Sequence, residues 1–271
     1  MKKILAIALA LVLSLSLVAC ASSGTGEADK TISIAASATP HAEILAVAKE
    51  VLAAEGWELN IVEYADYVVP NTIVDDGEMD ANYFQHLPYL ETFNAENGTA
   101  LVSVAAIHYE PFGVYTGTKS GIEELTEGDK VAIPNDGSNR ARALFLLEAC
   151  GLIKLVDGAD MTATVLDIAE NPLNLEIVEM EAAQIPGVRD SVALAVINGN
   201  YALLAGLNVT TDAIASEDAA SVSAQTYANI LVVKEGNENA EKIQALKNAL
   251  MSEAVKTFIN ESYNGAVVPL F

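Results

Sequence analysis

The segment KVAIPNDGSNRARALFLLEAC, residues 130–150, contains the alternation that defines the fold. Lys130–Ile133 has the apolar, β-branched composition of a strand, and Ser138–Cys150 reads as an apolar helix after a polar turn. Because strand, turn and helix follow one another directly, the segment predicts one βα unit.

The same alternation continues on both sides of this unit. Strands are predicted at Thr31–Ile34, Glu58–Glu63, Asp80–Phe84, Leu101–Ala106, Leu175–Met180, Ala193–Ile197 and Ile230–Val233. Helices are predicted from Pro40 to Glu55, from Pro70, and over Pro88–Glu96, Asn239–Met251 and Glu253–Ser262. This pattern predicts an α/β fold with mostly parallel sheets and helices on both faces.

Composition argues against a disordered chain and against a nucleic-acid-binding protein. The chain has 271 residues, of which 52% are hydrophobic and 19% charged, so it can bury the core of one large domain or two modest ones. Acidic residues number 37 and basic residues 14, a net charge of −23. A surface this acidic lacks the positive charge that nucleic-acid binding requires, so no nucleic-acid partner is expected.

The N-terminus has the features of a targeting segment. Two lysines precede the uncharged run Ile4–Ala19, which is shorter than a membrane-spanning helix needs. Residues 1–19 are therefore predicted to be a signal peptide. The sequence LVAC before and at Cys20 resembles a bacterial lipobox, in which the chain is cut before the cysteine and its sulfur carries diacylglycerol, with fatty acids such as palmitate.

Cleavage at this point predicts a lipid-anchored protein. Residues 20–29 are small and polar, as in a flexible tether. Loss of the two lysines would leave 12 basic against 37 acidic residues, a charge of −25. We expect the protein at the bacterial cell membrane, facing the extracytoplasmic side.

Sequence signatures of catalysis are missing. The chain has no Walker A loop, no G-x-S-x-G, no H-E-x-x-H and no C-x-x-C motif. The simplest function for a secreted α/β protein that a lipid holds at a membrane is to bind a ligand and release it to a partner in that membrane. We therefore predict a binding protein without catalytic residues.

The segment DANYFQHLPYL, residues 80–90, concentrates aromatic and polar side chains. In an extended chain Phe84 and His86 share one face, so they can wall a pocket together. Tyr89 would follow in the first turn of the next helix, close enough to complete that wall. The alternative is an ordinary set of core aromatics at a strand-to-helix turn.

The segment PNDGSNRARAL, residues 134–144, places two arginines at a helix start. Free backbone N–H groups and the positive end of the helix dipole favour a small anion such as a carboxylate there. Arg140 and Arg142 lie about 200° apart around a helix, so only one can face a given ligand. The alternative is a pair of solvated arginines.

Several motifs occur in an order that resembles one family. They are the lipobox, ANYFQH at residues 81–86, Glu110-Pro111, PND at 134–136 with Asn139-x-x-Arg142, ENP at 170–172 and AVIN at 195–198. From Thr31 to Phe271 the chain resembles the methionine-binding lipoproteins of ABC importers, the MetQ/NlpA family.

This resemblance implies a two-lobed periplasmic-binding-protein fold of type II-like architecture, with a hinge crossed by two segments. The Glu110-Pro111 step and the apolar run Ile230–Val233 then predict the lobe boundaries. Lobe one comprises residues 30–110 and 231–271, and lobe two comprises residues 111–230.

The resemblance also implies ligand roles for seven side chains. Arg142 would hold the ligand carboxylate, and Asn198 and Asn229 would bind the amino-acid backbone. The side chain of the ligand would be enclosed by Tyr67, Phe84, His86 and Tyr89. The implied function is capture of methionine and its delivery to an ABC importer permease with its ATPase, by a monomer without a cofactor.

Other readings remain open at this stage. The cargo could be a methionine-containing dipeptide or another apolar amino acid, and an enzyme or a surface adhesin would use a different chemistry. Zinc could be held by His41, His86 and His108 with a carboxylate. Because no pair of these ligands has the spacing of a metal motif, we expect no metal site.

Overall fold

The computed structural model describes residues 30–218 and 225–271. Cys20, with the predicted signal peptide and tether, lies outside the described residues. Among the described residues, no helix is both long enough and apolar enough to cross a membrane.

A six-stranded sheet is built from the two ends of the described chain. Its strand order is β13-β4-β12-β3-β1-β2. The strands are β1 (Thr31–Ala36), β2 (Glu58–Glu63), β3 (Ala81–His86), β4 (Leu101–Tyr109), β12 (Asn229–Lys234) and β13 (Val268–Pro269).

A five-stranded sheet is built from the middle of the chain, in the order β11-β5-β10-β6-β9. Its strands are β5 (Gly113–Thr116), β6 (Lys130–Pro134), β9 (Glu176–Met180), β10 (Leu194–Ile197) and β11 (Ala213–Ser216). A separate two-stranded ladder joins β7 (Lys154–Leu155) to β8 (Ile168–Glu170).

Both large sheets are mixed, so the expectation of mostly parallel sheets is wrong. Parallel pairs join β1 to β2 and β3, and β6 to β9 and β10, whereas the other neighbours are antiparallel. The path of the chain explains this. β4 leaves its sheet at Tyr109 and β12 re-enters with Asn229 beside His108, so the outgoing and returning strands run in opposite directions. In the smaller sheet, β5 and β11 meet in the same way, with Gly113 opposite Ser216.

Helices connect and cover the strands. The α-helices of the described residues outside 219–228 are α1 (Glu43–Ala54), α2 (Val69–Asp75), α3 (Leu87–Asn97), α4 (Gly137–Ala149), α5 (Gly199–Leu204), α6 (Val209–Asp212), α7 (Glu241–Leu250) and α8 (Glu253–Ser262). A turn of π-helix at Ala38–Ala42 leads into α1, and 3-10 turns lie at Ile122–Glu124, Val165–Asp167 and Ala182–Ser191.

The predicted strands and helices are present, with ends shifted by a few residues. The extended segment that begins near Asp80 continues to His86 as a complete strand, because all six residues of β3 are buried. The short elements β5, α5 and β11 were not predicted, since four to six residues carry too little periodicity to be recognised.

One apolar cluster packs against the larger sheet and also includes Tyr115 and Ile197 of the smaller one, whereas a second cluster packs against the smaller sheet. The first includes Ile32 and Ile34 of β1, Leu45 of α1, and Leu246 and Ile259 of α7 and α8. The second includes Val131, Ile133, Leu144, Leu147 and Leu194 from β6, α4 and β10. These cores hold the ends of β3, β10 and α4 in place.

The described chain passes between the two sheets twice. The first passage lies between Tyr109 and Gly113, and the second lies between Ser216 and Asn229. This strand distribution is the support for the lobe boundaries at residues 110 and 231, which remain a prediction.

Candidate binding site

A cavity lies where the ends of β3 and β10 meet the start of α4. Its wall combines aromatic rings with a few polar and charged side chains, as the walls of small-molecule sites do. The structure brings all seven predicted ligand residues to its wall; that they bind a ligand remains a prediction. The lining residues are Tyr67, Phe84, Gln85, His86, Tyr89, Glu110, Asn139, Arg142, Asn198, Gly199, Asn200 and Asn229.

An aromatic wall forms one side of the cavity. The ring centroids of Tyr67 lie 5.7 Å from Phe84 and 5.6 Å from Tyr89. The Tyr89 hydroxyl donates to the Tyr67 carbonyl oxygen at 2.9 Å, and the Tyr67 hydroxyl donates to Asn200 Oδ1 at 2.6 Å. These bonds hold the rings in edge-to-face or tilted arrangements, and the apolar surface of the rings is left towards the cavity.

His86 links the aromatic wall to α4. It is the residue before α3, and its Nδ1 accepts a hydrogen bond from the backbone N–H of Tyr89 at 3.2 Å. Its Nε2 therefore carries the proton and donates to Asn139 Oδ1 at 3.1 Å. Burial, followed by the charge of Arg142, lowers the pKa of His86 to about 3, so the ring is neutral at physiological pH.

Asn139 orients two neighbours at once. Asp136 caps α4 by accepting from the Asn139 backbone N–H at 3.0 Å and from its amide Nδ2 at 2.9 Å. The Asn139 Oδ1 atom then accepts from both His86 and Asn198 Nδ2, the latter at 2.9 Å. The cap of the helix thereby sets the direction of two predicted ligand residues.

Arg142 is the arginine that faces the cavity, which confirms that only one of the pair does so. Its guanidinium is 5% exposed and packs over the ring of Tyr227 at 4.1 Å. Its Nε and Nη2 donate to the carboxylate of Glu217 at 2.8 and 2.6 Å. Burial alone would lower the pKa of Arg142, but the charge and hydrogen bonds of Glu217, together with Tyr109 and Tyr227, raise it. Arg140 points elsewhere and pairs with Glu179 at 3.5 Å.

Two asparagines leave hydrogen-bonding groups directed at the cavity. Asn198 Oδ1 is buried and accepts no hydrogen bond from any described residue. Asn229 Oδ1 accepts from His41 Nε2 at 2.9 Å, which leaves its amide Nδ2 as a donor. A buried polar group without a partner is unfavourable, so Asn198 Oδ1 in particular is suited to a polar ligand.

Glu110 contributes the acidic side chain of the cavity wall. It is 5% exposed, and burial raises the pKa of its carboxyl. The backbone of Gly199 approaches it closely: a Cβ on that glycine would lie 2.6 Å from Glu110 Oε2. Only glycine permits α5 to begin this near the carboxylate.

His108 and His41 both lie beside the Glu110 carboxylate. The Tyr83 hydroxyl hydrogen-bonds to His108 Nδ1, so His108 Nε2 carries the proton and donates to Glu110 Oε1 at 2.7 Å. His41 Nε2 lies 3.5 Å from the same oxygen. Within residues 30–218 and 225–271, these two histidines and Glu110 are the group whose geometry could hold a metal ion. Sequence spacing did not reveal this group, and His86 does not belong to it.

Sequence reasoning missed four polar residues of the cavity wall, Gln85, Glu110, Asn139 and Asn200, and also Glu217, the partner of Arg142. Asn139 and Glu110 lie in the motifs Asn139-x-x-Arg142 and Glu110-Pro111, which are their local signals. Asn200 and Glu217 have no local signal, since Asn200 lies in the first turn of α5, a short helix that was not predicted, and Glu217 lies 75 residues from its arginine partner.

The mixed two-sheet architecture, crossed twice by the chain around a polar and aromatic cavity, defines a two-lobed solute-binding protein of the periplasmic-binding type. A sequence model of the NlpA lipoprotein family matches residues 32–271. The chain belongs to this family.

Similar proteins extend the comparison. The membrane lipoprotein TpN32 of Treponema pallidum is 43% identical over 89% of this chain and 88% of its own. The methionine-binding lipoprotein MetQ of Bacillus subtilis is 40% identical over 89% and 88%. A nutrient-binding protein of Burkholderia cenocepacia, solved with bound methionine, superposes with a TM-score of 0.84 at 42% identity, covering 89% of this chain and all of that one.

Proposed function

We propose that the protein captures methionine in this cavity and delivers it to the permease and ATPase of an ABC importer. The observation that carries the proposal is the charge pattern of the cavity. Arg142 and the Asn229 amide offer donors to a carboxylate, while Asn198 Oδ1 and Glu110 offer acceptors to an ammonium group. An amino-acid zwitterion needs both sets when it is buried.

The aromatic wall accounts for the side chain of the ligand. A thioether is polarisable and gains about 0.3–1.5 kcal/mol from each contact with an aromatic edge. Tyr67, Phe84 and Tyr89 present such edges around one slot. The names of the B. subtilis and B. cenocepacia proteins support the same ligand.

The cellular setting is part of the proposal. Cys20 would carry the lipid anchor, and residues 20–29 would tether the folded body at the extracytoplasmic face of the membrane. The two lobes would close over the ligand about the two crossing segments, as hinged binding proteins do. The protein would act as a monomer, without a cofactor or catalytic residue.

Calorimetry on protein stripped of ligand tests the cargo. We expect tight binding of methionine and weaker binding of norleucine, which keeps the length of the side chain but lacks sulfur. A methionine-containing dipeptide should bind weakly, because its free amine would lie one residue further from Arg142. Tight binding of the dipeptide or another apolar amino acid, with no heat from methionine, would overturn the cargo assignment.

A pair of arginine variants tests the site. Removing one partner of a buried charge pair costs about 2–5 kcal/mol, so Arg142→Ala should weaken methionine binding by roughly two to three orders of magnitude. Arg140→Ala is the matched control on the same helix and should leave the affinity nearly unchanged, because Arg140 pairs with Glu179 away from the cavity. Equal losses of methionine affinity in both variants would refute the assignment of the site but would not bear on the fold.

A further inference from the structure

Glu217 has more partners than an ordinary ion-pair residue. It follows β11, and its side chain is 10% exposed. Its carboxylate accepts from Arg142 Nε and Nη2, from the Tyr109 hydroxyl at 2.6 Å and from the Phe112 backbone N–H at 3.0 Å. Burial alone would raise the pKa of Glu217, but Arg142 and these hydrogen bonds hold it below its usual range.

Glu217 approaches Arg142 from the side away from the ligand cavity. It is not among the residues that line that cavity, and it lines a different surface cavity with Phe145 and Met161. Arg142 Nη2 also donates to the Glu110 carbonyl oxygen at 3.0 Å. These bonds use Nε and Nη2, so we assign Nη1 to the cavity that Arg142 lines.

We infer that Glu217 is a positioning residue that holds the Arg142 guanidinium so that Nη1 is presented to the ligand carboxylate. A bidentate pair fixes the plane of a guanidinium as well as its place. Tyr109 and Phe112 fix Glu217 in turn, from the segment where the chain first passes between the sheets. This inference rests on the proposed function for its ligand.

The test begins with Glu217→Gln, which keeps the size of the side chain and removes its charge. Hydrogen bonds to charged groups contribute about 1.5–3 kcal/mol, so methionine affinity should fall roughly 10- to 100-fold. Glu179→Gln makes the same change on the partner of Arg140 and should leave the affinity unchanged. Unaltered or tighter binding by Glu217→Gln would overturn the inference.

A double-mutant cycle separates positioning from general structural damage. In an Arg142→Ala background, Glu217 becomes a buried carboxylate without its cationic partner, and it no longer has a guanidinium to position. Adding Glu217→Gln to that background should leave the affinity unchanged or raise it. If Glu217 were only structural, the losses from the two substitutions would multiply, as they do for independent sites, and that result would contradict the inference.

A measurement without ligand completes the test. Nitrogen-15 NMR of the ligand-free protein should show the Arg142 Nε–H protected from solvent exchange in the parent and unprotected in Glu217→Gln. Equal protection in both would refute positioning by Glu217.

If Glu217→Gln fails to fold, Tyr109→Phe provides a second variant. It removes one of the hydrogen bonds to the Glu217 carboxylate and should show a smaller loss of Arg142 Nε–H protection. Absence of heat with methionine in the parent would overturn the proposed function, and the NMR result would still decide the role of Glu217.

Discussion

Every histidine of this protein is buried in a specific hydrogen-bonding role. Burial lowers the pKa of His41 to about 4 and of His86 and His108 to about 3. Each ring is therefore neutral in the folded protein at pH 7. In the unfolded chain each would take up a proton near pH 6.5.

This difference predicts a loss of stability in weak acid. Between pH 6.5 and about 4 the unfolded state binds more protons at the three histidines than the native state, so the unfolding free energy falls as the pH falls. Each histidine contributes about 1.4 kcal/mol per pH unit within that window. The raised pKa values of Glu110 and Asp136 act in the opposite direction and reduce the slope.

Urea denaturation at pH 7, 6 and 5 measures the slope. His108→Gln can still hydrogen-bond but cannot titrate. It should therefore reduce by about one the difference in bound protons between the unfolded and native states, and flatten the slope of the unfolding free energy against pH. An unfolding free energy that is the same at pH 7 and pH 5 would show that these rings are not held neutral by burial.

The start of α4 is the element that organises the site. Asn139 and Arg142 are three residues apart, so they share one face of the helix, while Arg140 lies on another. Asp136 caps the helix and orients the Asn139 amide with the same carboxylate. Helix stability and site geometry therefore depend on one side chain.

We expect Asp136→Ala to affect both stability and binding. Loss of an N-cap costs about 0.5–2 kcal/mol of unfolding free energy. Methionine affinity should also fall several-fold, because Asn139 would no longer hold His86 and Asn198 in place. Denaturation and calorimetry on the same preparation measure the two effects.

Ser252→Ala is the matched control at a second helix. Ser252 caps α8 by accepting from the Val255 backbone N–H at 3.4 Å, and it does not line the ligand cavity. This variant should lose stability and keep its methionine affinity. An Asp136→Ala protein that binds methionine like the parent would contradict the role of the cap in the site.

At the scale of the whole molecule, we predict a lipid anchor at Cys20, ahead of the two-sheet body. Diacylglycerol supplies two acyl chains, and stable anchoring needs two membrane signals, since one acyl chain binds only marginally. We therefore expect the parent to fractionate with membranes and Cys20→Ser to appear in the soluble extracytoplasmic fraction.

Measuring the methionine affinity of Cys20→Ser shows whether loss of the lipid anchor affects ligand binding. The cavity is lined by residues between 67 and 229, so Cys20→Ser should bind methionine like the parent. A Cys20→Ser protein that remains as membrane-bound as the parent would refute the lipid anchor.

Local patterns in the sequence determined the helices and the longer strands, and two contiguous parts of the cavity wall. Phe84, His86 and Tyr89 follow from strand alternation and a helix start within one segment. The capped helix predicts that one of Arg140 and Arg142 faces the ligand, and the choice of Arg142 came from the resemblance to a family. Such features depend on neighbours within one or two turns of the chain, so they are visible without a structure. The assignment of Asn198, Asn229 and Tyr67 depended on the resemblance to a family.

Only the tertiary structure decided which distant groups meet. Arg142 pairs with Glu217 across 75 residues, and His41 bonds to Asn229 across 188. The mixed direction of the sheets also follows from the two passages of the chain, because a returning strand lies beside the one that left. Burial then determines the charge state of each group, and burial depends on the whole packed fold rather than on any local pattern.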